Sequence, residues 1–170
     1  MIHIVLYEPE IPGNTGNIMR TCAGTGTKLH LIEPLGFSLD EKSIRRSGVN
    51  YIEYCDYTVY PNYETFLNQN SDGDFYFLTR YGNKAHTEFD FSDNSKNIYF
   101  VFGKESTGIP KEILKGHLEH CMRIPINSNI RALNLSNCVA IMLFEALRQQ
   151  DYNNLLRTDP FKGADYLKVD

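Results

Sequence analysis

The sequence predicts an α/β fold, a mostly parallel sheet with helices on both faces. Three observations carry this reading. Short β-branched or aromatic runs recur along the chain, helical patterns lie between them, and turn residues separate the two. "IHIVLY" (2–7) reads as the first strand, and a helix follows Gly13. "KLHLIE" (28–33) is the second strand, with helical patterns expected around 40–47 and near 62–69. "DFYFLTR" (74–80) and "NIYFVFG" (97–103) come next. Pro110 suits the first turn of a short helix and Gly116 suits its stop. "HCMRIPI" (120–126) is a looser strand, and a long helix runs from about 134 to 150. Such alternation implies βαβ units whose sheet is buried on both sides.

The long helix has more apolar residues than one buried face uses. Val139, Met142, Leu143, Ala146 and Leu147 share one helical spacing, while Cys138, Ile141 and Phe144 lie on other sides. A helix apolar nearly all round is expected in a large core or a subunit interface, and in so small a chain the interface is favoured. Beyond Gln150 the apolar periodicity lapses. The expected organisation is a single domain over 1–155 and a partly ordered tail over 156–170.

At 170 residues, with 42% hydrophobic and 22% charged, the chain has the composition of an ordinary globular domain. No apolar run approaches the ~20 residues of a membrane span, and no signal-peptide pattern opens the chain. The four cysteines (Cys22, Cys55, Cys121, Cys138) form no C-x-x-C pair, so reduced thiols and a cytoplasmic location are expected. The net charge of −4 argues against indiscriminate nucleic-acid binding but leaves room for a local basic face. The best candidate for one is "EKSIRRSG", with Lys42, Arg45 and Arg46; a solvated helix face explains it equally simply.

In open parallel sheets, ligands bind beyond the carboxyl ends of the strands. Three such ends are unusual: "EPEIPGNTGNIMRTC" (8–22), "FGKESTGIP" (102–110) and "RIPINSNIRALNLSN" (123–137). In the first, Pro12 and the glycines are expected to shape a turn braced by Asn14. All three bring Gly, Pro, Asn and Ser to strand-to-helix junctions, where main chain can approach a ligand closely. "GNTGNI" lacks the glycine spacing of a dinucleotide fingerprint, and "GKESTG" lacks the leading glycine of a P-loop. His117 and His120, three residues apart, are more simply structural than metal ligands. No G-x-S-x-G elbow supports a serine nucleophile. Metal-free group transfer to a positioned acceptor remains.

Together, "NTGNIMR", "FGKESTG" and "IPINSNIRALNLSN" resemble the three motifs of the SpoU branch of the SPOUT RNA methyltransferases. "LIEPLGF" and "ALNLSNCVAIMLFEALRQ" narrow the resemblance to its small tRNA 2′-O-ribose methyltransferases, which act on the wobble cytidine or uridine. The likeness covers about residues 2–150. It implies a deep C-terminal trefoil knot, a homodimer through the C-terminal helix, tRNA as partner, and S-adenosylmethionine as methyl donor with no metal. It implies catalytic roles for Asn14, Arg20, Glu105 and Asn134, with Ser136 nearby. It places Leu78, Gly103, Ile124, Ala132 and Leu133 at the methyl donor. Many relatives have serine where this chain has Ala132, so any hydroxyl role there is lost. Arg20, Arg45, Arg46 and Arg131 are the expected substrate contacts, gathered from two chains into one groove.

The chemistry needs an aligned in-line attack and removal of one proton. A guanidinium keeps its proton near neutrality, so Arg20 is a poor base; stabilising the developing oxyanion or clamping a phosphate are both open to it. Taken alone, Glu105 reads as a loop brace, Asn134 and Ser136 as helix caps, and Leu78 equally as core. Two rival readings are a non-catalytic relative that binds RNA or the methyl donor, and a flavodoxin-like module for a small phosphorylated ligand.

Overall fold

In the computed structural model, residues 1–39 and 52–168 are described. The expected helix at 40–47, with Lys42, Arg45 and Arg46, lies outside them. Alternating side chains of β1 (Ile2–Tyr7) point to opposite faces, and both faces are buried. Ile2, Ile4 and Leu6 enter one core, while Val5 enters the other. The same division holds in β2 (Lys28–Ile32) and β6 (Asn97–Phe102). Leu29, Leu31, Phe100 and Phe102 join the first core, and Ile32, Tyr99 and Val101 the second. Near-continuous apolar runs of this kind are what a sheet covered on both sides requires.

Among the described residues the sheet has seven strands in the order β3-β2-β1-β6-β4-β7-β5, every pairing parallel. Here β3 is Tyr57–Tyr60, β4 is Gly73–Leu78, β5 is Lys84–Ala85 and β7 is Cys121–Arg123. Helices α1 (Pro12–Thr25) and α4 (Leu135–Gln149) cover the first face, packing Ile18, Met19, Val139, Met142 and Leu143 on it. Helices α2 (Tyr63–Gln69) and α3 (Lys111–Lys115) contribute Phe66 and Leu114 to the second. The predicted α/β architecture is therefore observed.

Some boundaries differ from expectation. The runs at 74–80 and 120–126 stop as strands at Leu78, whose ladder partners are Phe102 and Met122, and at Arg123, whose partner is Ala85. Edge strands β3 and β5 were not anticipated; four and two residues long, they depend on their neighbours for pairing. Pro12 to Gly16 do not form a turn. They are the first helical residues of α1, with Pro at its start, where a missing N–H costs nothing. The long helix is observed at Leu135–Gln149, with Val139, Met142, Leu143, Ala146 and Leu147 buried as their spacing predicts, whereas Ile141 is 37% and Phe144 46% exposed.

A polar chain runs through the second core. Asn70 Nδ2 donates to the Tyr60 hydroxyl at 3.2 Å, which lies 2.9 Å from His30 Nδ1. His30 Nε2 lies 2.9 Å from His3 Nδ1, and His3 Nε2 lies 3.4 Å from Asn97 Oδ1. One set of neutral tautomers satisfies the whole chain, each member donating to the next toward Asn97. Burial, with the neighbouring His3 adding to it, holds His30 down to about 3. Because unfolded histidine titrates near 6.5, the unfolded chain binds the extra proton between those limits. Stability is expected to be full above pH 6.5 and to fall as pH drops toward 3. Thermal melts across that range should show the decline, and His30→Gln, which takes up no proton, should make it shallower, the buried His3 keeping its own share.

Candidate functional site

Three loops meet because their strands are neighbours at one edge of the sheet. Leu6 lies beside Phe102, Phe102 beside Leu78, and Leu78 beside Met122, so β1, β6, β4 and β7 end in line. Strand order reverses direction between β1 and β6, the position where open α/β sheets form a crevice.

Side chains tie the loops across that crevice. Glu105, after β6, accepts from the main-chain N–H of Glu10 at 2.9 Å and of Ile11 at 3.3 Å. It also accepts from Asn14 Nδ2 at 3.0 Å. Asn14 Oδ1 in turn accepts from Asn134 Nδ2 at 2.9 Å. The carboxylate can only accept, so it fixes which way the buried Asn14 amide points, and that amide fixes Asn134. Asn134 Oδ1 then caps α4, accepting from the N–H of Ser136 and Asn137 and from the Ser136 hydroxyl. Capping and loop bracing thus reside in one residue.

A reciprocal clasp runs the other way. Glu10 accepts from the Ser106 N–H at 2.9 Å and the Ser106 hydroxyl at 2.8 Å, which hold its carboxyl below the usual range. Lys104 pairs with Glu8, a non-glycine residue at φ 48°. Gly103 is forced by close approach: a Cβ there would lie 2.1 Å from the carbonyl carbon of Gly108.

The loops surround a cavity of about 720 Å³. Leu78, Gly103, Ile124, Ala132 and Leu133, the five residues expected at the methyl donor, all line it. So do Asn14, Glu105, Asn134 and Arg131. Arg20 does not: it lies on the exposed side of α1, six residues beyond Asn14. Arg45 and Arg46 fall outside the described residues. Along 130–133 no main-chain N–H donates to a partner among the described residues. Leu78, Ile124 and Leu133 supply an apolar wall beside them.

Several lining residues were missed. Thr79, Arg80 and Tyr81 line the cavity, but "DFYFLTR" read as strand had absorbed the first two. Glu10 sat in plain view, yet its partner Ser106 is 96 residues away and no local signal pairs them. Cys138, unlike the other three cysteines, is only half-buried, against the cavity. Burial still pushes its thiol up, so it is a poor thiolate nucleophile. His117 stacks on Phe77, and His120 stacks on Tyr76 and donates to the Phe75 carbonyl at 2.9 Å. Among the described residues no group of three His, Cys, Asp or Glu could hold a metal ion.

Residues 1–144 match the SpoU rRNA Methylase family. The chain belongs to this family. It is 54% identical over 154 residues to a protein of Geobacillus stearothermophilus, spanning 91% of this chain and 98% of that one. It is 46% identical over 153 residues to the tRNA (cytidine(34)-2′-O)-methyltransferase of Methylovorus glucosotrophus, covering 89% and 97%. A solved structure described as giving insight into the 2-OH methylation of C/U34 on tRNA superposes with a TM-score of 0.82 at 35% identity. That match covers 90% of this chain and 98% of the other.

The geometry predicts the consequence of disturbing the clasp. Glu105→Gln would turn one accepting oxygen into a donor facing donors. It is expected to cost about 1 kcal/mol in urea unfolding, because the buried Asn14 amide loses its acceptor while the exposed Ile11 N–H can turn to water.

Proposed function

We propose that the chain transfers a methyl group from S-adenosylmethionine to the ribose 2′-hydroxyl of tRNA nucleotide 34, a cytidine or uridine. The observation that carries this is the Glu105–Asn14–Asn134 relay, which gathers three family motifs around one cavity. The sulfonium donor arrives with its methyl group already activated. What remains for the protein is to align the attack, exclude water and steady charge.

In this reading the apolar wall of Leu78, Ile124 and Leu133 receives the donor's adenine. The N–H groups around Ala132 and Leu133 hold its polar edge. Gly103 lets the main chain come close to it. Glu105 accepts three protein donors already, so it acts as a positioning residue that sets Asn14 rather than as a proton acceptor. As the oxygen–carbon bond forms and the sulfur–carbon bond breaks, the electron pair stays on the sulfur of the departing S-adenosylhomocysteine and the hydroxyl proton passes to solvent water. Arg20 lies outside the cavity lining on an exposed helix face, which supports a grip on the phosphate beside the reacting ribose.

The same proposal includes a homodimer, one catalytic unit over 1–155 with 156–170 appended, a knotted C-terminal half, and action in the cytoplasm. The exposed Ile141 and Phe144 on α4 support the dimer, since apolar side chains so placed on an otherwise packed helix lack a cover within the described residues. No described helix is long and apolar enough to cross a membrane.

Incubation with tRNA and labelled methyl donor, followed by mapping of the modified nucleotide, tests the reading; label at any other position, or none, refutes it. Arg20→Ala is expected to lower kcat/KM about 10²-fold, with donor affinity retained in calorimetry. Arg20→Lys should restore only part of that loss, because an ammonium cannot grip a phosphate with two parallel bonds. Phe144→Asp is expected to shift the protein from dimer to monomer in sedimentation, and an unchanged dimer would place the interface elsewhere.

A further inference from the structure

The loop after β4 is pinned at its base and open at its tip. The Thr79 N–H donates to the Met122 carbonyl at 2.9 Å, and the Gly82 N–H to the Thr79 carbonyl at 3.2 Å. A Cβ at Gly82 would lie 2.5 Å from the Met122 carbonyl carbon, so this end of the loop lies flat against β7. The Tyr81 N–H is held by the Thr79 hydroxyl at 3.3 Å. From this base Tyr81 stands out into solvent, 66% exposed, at the mouth of the cavity. The Arg80 guanidinium lies 4.7 Å from the ring centre and donates to the Tyr81 hydroxyl at 2.5 Å.

An exposed aromatic ring fixed by its own main chain and braced by a cation is a ready surface for a flat ligand. Its surroundings indicate which kind. Arg80, Arg123 and Arg131 all line the cavity, and among the described residues none has a carboxylate at ion-pair distance. In a chain of net charge −4, three arginines left without acidic partners around one opening create a local field for a polyanion.

We infer that Tyr81 is a stacking platform for a nucleobase of the substrate RNA, with Arg80 bracing the ring and Arg123 and Arg131 meeting the flanking phosphates. The inference rests on the RNA methyltransferase reading above and adds the residue that seats the base next to the reacting ribose. Stacking uses the π-face common to all bases, so a platform of this kind accepts cytidine and uridine alike. The apolar wall deeper in the cavity is left to the methyl donor.

The test compares wild type, Tyr81→Ala and Tyr81→Phe. The readouts are steady-state methylation of tRNA, calorimetry with S-adenosylmethionine, and binding of an anticodon-stem RNA carrying 2-aminopurine beside the target nucleotide. Tyr81→Ala is expected to raise KM for tRNA about 5- to 150-fold with kcat little changed. It should also abolish the 2-aminopurine quench, with donor affinity unaltered. Tyr81→Phe keeps the ring and should restore both KM and quench. Unchanged KM and quench in Tyr81→Ala would overturn the platform, as would a loss confined to donor affinity. If wild type methylates no RNA but still shows a Tyr81-dependent quench, the platform stands and the enzymatic reading fails. If wild type neither methylates nor binds the RNA, both fall.

Discussion

Glu105 occupies the position on which the rest of the site depends. Its carboxylate takes three donors from the segment after β1, one of them the amide of Asn14, and Asn14 passes the constraint to Asn134 at the start of α4. These residues are 91 and 120 positions apart in the chain. The sheet has already met the entropic cost of bringing such distant segments together, because β1 and β6 pair along their length. The hydrogen bonds therefore act on loops that are close but unfixed, and their effect is on geometry more than on global stability. A charged acceptor among main-chain donors is about twice as strong as a neutral one. It also has no alternative orientation, which an amide in its place would have.

This arrangement explains why the neighbouring groups are polar without being reactive. A carboxylate with three donors has little capacity left for a substrate proton, and the half-buried Cys138 is held as a thiol. What the cavity does offer is uncommitted: N–H groups along 130–133, an apolar wall, and arginines without acidic partners among the described residues. A site so composed can bind, orient and neutralise. It suits a reaction whose reactive bond is supplied by the methyl donor, and in which transition-state charge is steadied by fixed dipoles and cations.

Much of this was legible in the sequence, for definable reasons. Strands β1, β2 and β6 announce themselves because burial on both faces leaves uninterrupted apolar runs. Helix α4 does so because five buried positions repeat at helical spacing. The three loops stood out as junctions dense in Gly, Pro, Asn and Ser, and the cavity-lining residues Leu78, Gly103, Ile124, Ala132 and Leu133 came through resemblance. What escaped was whatever depends on a distant partner. Strands β3 and β5 are too short to carry a period of their own. Glu10 gains its role only from Ser106, and the turn at Thr79 to Gly82 only from the backbone of Met122. Pro12 misled because proline marks helix starts as well as turns.

Helix α4 joins the two parts of the proposal. Its N-terminus is capped by Asn134, a member of the relay, and its outer surface exposes Ile141 and Phe144 seven and ten residues further on. A helix is stiff along its axis, so a partner seated on those side chains would restrain the cap within a few turns. Through Asn134 and Asn14 that restraint reaches Glu105 and the loop at Gly103. Association of two copies would then do more than cover apolar surface. It would narrow the positions open to the residues lining the cavity, and in that way oligomeric state and the geometry of methyl transfer would be set by one helix.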